Sequence, residues 1–164
     1  MQILVINDEA GIFSSDRIDG SGMPRFTGVC DYYDMLIEQS FGNYRTLLGD
    51  VAYHPVMGIF LTHKDNRKPS SDGLLLPDES FAREILQLFS LGEYRTKISG
   101  GLVRDRGGNL IQNYTIGDIM ALARVFTGLR SAGDSASLRE PMELSASDRD
   151  CEGLVFRQGR RALR

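Results

Sequence analysis

Tryptophan is absent from this 164-residue chain, and histidine and cysteine occur only twice each. Each scarcity excludes something. His54 and His63 alone cannot build a multi-histidine metal centre, and no metal ion or cofactor is expected. Cys30 and Cys151 are too few and too far apart for a disulfide framework; they read as unpaired thiols, with one long-range bridge left open. No apolar run approaches the roughly 18 residues of a membrane-spanning helix. The net charge of −3 leaves no domain-wide basic field, so nucleic acid is not an expected partner. The short motifs of zinc proteases, P-loop enzymes, nucleophile elbows and dinucleotide folds are missing too.

The most strongly patterned stretch is LLPDESFAREILQLFSLG, residues 75–92. Asp78 is suited to an N-cap and Gly92 to a C′ position. Phe81, Ile85, Leu88 and Phe89 recur at helical spacing, and Ala82 and Leu86 widen that apolar face to about 160°. Such a face calls for neighbours on two sides. Glu79 and Arg83 lie at the favourable i, i+4 spacing of the wet stripe. Glu84 falls at the seam between wet and dry, about 40° from Leu88, where a carboxylate is a site residue or an arginine's partner. Arg124 is the expected partner.

The remaining chain reads as further short helices. Asp31 caps a stretch holding Tyr33, Leu36 and Ile37, and Asn43 caps another with Tyr44, Leu47, Leu48 and Val51. His54-Pro55 forces a break, with Pro55 opening a third helix from Val56 to about His63. Thr115 and Asp118 have capping-box spacing ahead of Ile119, Leu122, Ala123 and Phe126, and Gly128 closes that helix. Paired glycines at 100–101 and 107–108 predict at most one short hairpin near residues 101–112. No internal repeat is expected. Asp16 and Asp19 beside Gly20 and Gly22 only faintly resemble a calcium loop. The terminal arginines Arg157, Arg160, Arg161 and Arg164 read as a solvated tail.

Candidate site residues are therefore few. Glu84, His54, Arg83 and Asn66 are the set that a polar pocket would gather. The duller reading gives His54 to a helix junction, His63 to a helix C-terminus and Glu84 to an ion pair.

Four pieces resemble one known family in letters, order and spacing. They are FGNYRTLLGDVAYHPVMGIFL, DNRK at Asp65–Lys68, PDESFAREILQLFSLG, and Tyr114-Thr115 leading to DIMALARVFTGL. Together they resemble the bacterial family known as domain of unknown function 1800, over about Phe41 to Leu129. Tyr32-Tyr33-Asp34-Met35-Leu36 is similar to the segment before them. The resemblance implies a mainly helical bacterial protein and supplies no activity. Relatives are generally longer at both ends and many begin with an export signal, so this chain is expected to be an internal piece. Relatives often carry asparagine where Asp78 and Ser80 stand, tyrosine at Phe81 and, in some, histidine at Phe89.

The expected architecture is all-α, an irregular multi-helix domain over residues 1–129 with its core at 31–129, and a poorly ordered tail at 130–164. The first functional reading is a binding or scaffolding module of an exported system. Its partner would be a protein, or a second copy, on exposed apolar helix faces. A hydrolase with a polar pocket around Glu84 and His54 is the rival, and a gene fragment without activity is the third.

Overall fold

The computed structural model describes residues 4, 6, 25–130 and 142–144. Asp16, Asp19, Cys151 and the terminal arginines lie outside them. The described chain is mainly helical, in the order α1 (Arg25–Glu38), α2 (Tyr44–Tyr53), α3 (Pro55–Phe60), α4 (Ser80–Gln87) and α5 (Ile116–Val125). A two-stranded antiparallel ribbon, β1 (Leu129–Arg130) with β2 (Glu143–Leu144), follows α5.

Helix α1 begins six residues before Asp31, which therefore lies inside the helix and does not cap it. Val29, Tyr32 and Leu36 form its buried stripe. The Tyr32 hydroxyl donates to the Leu4 carbonyl at 2.7 Å, so the largest buried ring still satisfies its polar end. Asn43 caps α2 as expected, its side chain accepting from the Arg45 N–H at 2.9 Å. His54 stands in extended conformation between α2 and α3, as a residue before proline should, and its Nδ1 accepts from the Val56 N–H at 3.3 Å. Helix α3 stops at Phe60, short of the expected His63.

Helix α4 is shorter than its apolar pattern suggests. Asp78 does not occupy the N-cap; its Oδ1 accepts from the Ser80 N–H one position earlier, at 2.8 Å, and Glu79 holds the cap position without a side-chain bond. At the far end the Phe89 N–H reaches back to the Glu84 carbonyl at 2.9 Å, a five-residue step that widens the last turn. That step carries Phe89 into the core while Leu88 is left facing solvent. The expected two-sided packing is present. Phe81 and Phe89 join the core of α1, α2 and α3, and Ala82 joins Ile119 and Ala123 of α5 in a second cluster. Phe126 packs against both, with its ring 4.8 Å edge-on from that of Phe81. The α5 capping box of Thr115 and Asp118 is fully formed.

Residues 93–113 hold the expected short hairpin, closed by the Arg104–Leu110 bridge, within a larger element that corrects the expected lack of a repeat. Three antiparallel bridges, Thr96 to Leu102, Arg104 to Leu110 and Tyr94 to Gln112, follow one another at a spacing of eight residues. At their centre the backbone closes a ring. Val103 N–H donates to Arg95 C=O at 2.8 Å, Ile111 N–H to Val103 C=O at 3.3 Å, and Arg95 N–H to Ile111 C=O at 2.8 Å. The sequence repeats accordingly as GEYRTKIS, GGLVRDRG and GNLIQNYT. Gly92, Gly100 and Gly108 open the three units with φ of 74°, 84° and 85°, which only glycine adopts without penalty. Almost all of this three-armed element is exposed or half-exposed, so the hydrogen-bonded ring, with little apolar burial, defines its shape.

Nothing lies within 4 Å of a Cβ added at Gly108, so Gly108→Val strains only the backbone. We expect it to cost about 1–3 kcal/mol locally. Amide exchange should accelerate together at Arg95, Val103 and Ile111 and stay unchanged in α2. Unequal, independent changes at those three amides would contradict a closed ring.

Candidate functional site

The four sequence candidates occupy separate settings. His54 is buried at the α2–α3 junction, with its ring 5.0 Å edge-on from that of Tyr32. Burial pushes its imidazole down to about 4, against the pull of Asp31. Arg83 is exposed and pairs with Glu79 at 3.0 Å, as the i, i+4 spacing predicts. Glu84 is half-buried and its Oε2 has no hydrogen-bond partner. Among the described residues no ion pair joins it to Arg124, which is exposed and lines a small dimple with Leu76, Glu79 and Met120. Burial, with Glu93 nearby, pushes the Tyr114 hydroxyl up; Arg83 opposes this and Glu84 adds to it. Those three charged groups of residues 83–93 thus act on one phenol. His54 and Asn66 are not part of that group.

Asn66 has a different task. Its Nδ2 donates to the Asp78 carbonyl at 3.1 Å while its Oδ1 accepts from the Asp78 N–H at 2.8 Å. One side-chain amide thereby pairs with one residue's backbone as a neighbouring strand would. The backbone of Asn66 is held as well, its carbonyl accepting from Gly128 N–H at 2.9 Å. Asp65 N–H donates to Leu129 C=O at 2.7 Å. The turn needs left-handed backbone at Thr62 (φ 58°), Asp65 (φ 61°) and Gly128 (φ 82°).

His63 sits inside this turn, 1% exposed, and not at a helix end. Its Nε2 faces the Ala52 carbonyl at 2.9 Å, so that nitrogen carries the proton. Its ring stacks on Phe81 with centroids 3.9 Å apart. Nδ1 is left buried without a partner. Burial pushes His63 down to about 4, although the Ala52 bond and the Asp78 carboxylate favour the charged form.

Between the turn and β1 lies a groove of about 410 Å³, walled by residues 65–68 and 128–130. Arg67, Lys68 and Arg130 line it together with Asn66. Sequence reasoning singled out Asn66 but missed the groove. The DNRK run was visible, whereas Arg130 is distant in sequence and reaches the groove only through the Asp65–Leu129 and Gly128–Asn66 backbone bonds.

Among the described residues these elements form five helices with a pinned turn and a groove lined by basic side chains. The chain belongs to the DUF1800 family of proteins of unknown function, whose family model matches residues 13–162. No curated protein and no solved structure matches it.

Two outcomes follow. Asn66→Ala should cost about 1–3 kcal/mol in a urea melt, since it strands backbone groups of Asp78. Asn66→Asp should cost at least as much, because an acceptor then faces the Asp78 carbonyl; a fully stable Asn66→Asp protein would refute the clasp.

The histidines set a pH dependence. With folded values near 4 and an ordinary value of 6.5, the unfolded chain binds more protons between those limits. Stability should be full above about pH 6.5 and fall towards pH 4, by roughly 3 kcal/mol per histidine. His63→Phe should flatten the slope of stability against pH in urea melts between pH 7.5 and 4.5. An unchanged slope would show that His63 is not buried neutral.

Proposed function

We propose that this domain is a binding or scaffolding module that holds a second polypeptide on exposed apolar side chains. One observation carries the reading: Leu74, Leu75 and Leu76 stand in a row at 83%, 54% and 60% exposure. They leave a connection whose base is fastened by Ser70 N–H to Leu75 C=O at 3.1 Å and Leu75 N–H to Ser70 Oγ at 2.9 Å. A fastened, solvent-facing leucine row is a costly way to end a loop and a useful way to engage a partner. The residues best suited to chemistry support the same reading, since Asn66 and His54 are used to hold backbone and Arg83 pairs with Glu79. Leu88 and Leu91 add exposed apolar surface beyond α4. An exported setting rests on the family resemblance alone.

Leu74→Ser/Leu75→Ser tests this without touching the core. The parent chain should bind a hydrophobic dye and self-associate as concentration rises. The variant should lose most of both while its urea midpoint stays within about 0.5 kcal/mol of the parent. Dye binding and association that survive unchanged would remove the leucine row from the function.

A further inference from the structure

The strongest unassigned feature is the groove between residues 65–68 and 128–130. Its size falls within the range of small-ligand sites, roughly 300–1,000 Å³. Its charge is opposite to that of the chain. Arg67, Lys68 and Arg130 line it beside the one carboxylate Asp65, whereas the whole protein carries −3. Asp65 is already engaged by Lys64 at 2.8 Å. Glu143 lies opposite Arg130 in the β1–β2 register, so it moderates Arg130 from the neighbouring strand.

The walls are prepared as well as charged. Asp65 and Gly128, both left-handed, stand in the two separate segments that form the walls. The bonds of Asp65 to Leu129 and Gly128 to Asn66 then lock them side by side. Asn66, only 8% exposed and bonded through its backbone and side chain, fixes one wall. Left-handed, non-glycine backbone held by several bonds is the kind of strain that accompanies sites and is rare in plain connections. Two arginines at the rim of a rigid polar groove suit an oxyanion, because each guanidinium offers parallel N–H donors in a planar fork.

We propose that this groove binds an oxyanionic group, a carboxylate or a phosphate, held chiefly by Arg67 and Arg130. Lys68 adds charge to the same rim. The site is distinct from the leucine row and does not depend on it.

The test uses the full chain labelled with nitrogen-15 and titrated with inorganic phosphate and, separately, with citrate. Sodium chloride at matched ionic strength is the reference. Amide shifts should saturate at residues 65–68 and 128–130 with at least one of the two anions. Saturation by phosphate alone assigns a phosphate ligand, and saturation by citrate alone assigns a carboxylate. Arg67→Gln/Arg130→Gln should weaken that binding by about tenfold or more, the expected loss for two charge-assisted bonds. Arg95→Gln/Arg106→Gln, an equal charge change on the three-armed element, should leave it unaltered. Should the double variant lose its dispersed spectrum, Arg67→Gln alone decides. Shifts that grow linearly and match those in sodium chloride would overturn the proposal. So would saturable binding that the groove substitutions do not weaken.

Discussion

The Asn66 side-chain amide, paired with both backbone groups of Asp78, is the interaction on which the described fold depends. Residues 61–79 hold no helix or strand, yet they must deliver Phe81 to the junction of two apolar clusters. A buried phenylalanine contributes about 1.5–3 kcal/mol by area, but only if the chain enters α4 at the right angle. The clasp fixes that angle two residues before the helix begins. It also explains why α4 functions without a side-chain bond at its N-cap. The orientation such a cap commonly secures is supplied from outside by Asn66, and Asp78 satisfies the Ser80 N–H.

The same turn accepts an electrostatic cost. His63 gains a hydrogen bond and a face-to-face stack on Phe81, and leaves Nδ1 unsatisfied in the core. An unmade bond of this kind costs about 1–3 kcal/mol, which the neutral form makes bearable and the charged form would not. Asp78 stands close enough to favour the charge, and burial outweighs it. Burial also pushes the Asp78 carboxyl up, but hydrogen bonds from Ser80 and Thr62 outweigh it there and hold the group below its usual range. His63 is thus kept neutral and Asp78 ionised by opposite balances of solvation and bonding.

How much of this was legible in the sequence follows from the range of each interaction. Caps and breaks are local, so Asn43, His54-Pro55 and the Thr115–Asp118 box were readable directly. The α4 face was readable in composition but not in extent, because the widened turn at Phe89 depends on what that ring packs against. Asp31 misled because a good capping residue inside a helix looks the same as one at its start. Glu84 was drawn to Arg124 by proximity of α4 and α5, whereas Arg124 faces solvent beside the 76–79 segment. The octapeptide repeat was visible in the glycines at 92, 100 and 108, but its period is far below that of ordinary repeat architectures. Asn66 could be flagged as unusual and not assigned, since its partner lies across a connection of no regular pattern.

Two modes of holding shape therefore coexist. The helices are held by apolar burial in two clusters that share Phe126. The three-armed element is held by a ring of backbone bonds with few buried side chains, so glycine geometry counts there for more than side-chain chemistry. The pinned connection between α3 and α4 belongs to neither mode. It is fastened by the Asn66 amide, the Ser70 hydroxyl and left-handed turns, and it carries one wall of the basic groove at 65–68 and the leucine row at 74–76 on one short stretch. Surfaces built on so few fasteners keep their geometry only while the fasteners hold. Of the four residues singled out from the sequence, Asn66 is the one whose hydrogen bonds hold that stretch in place.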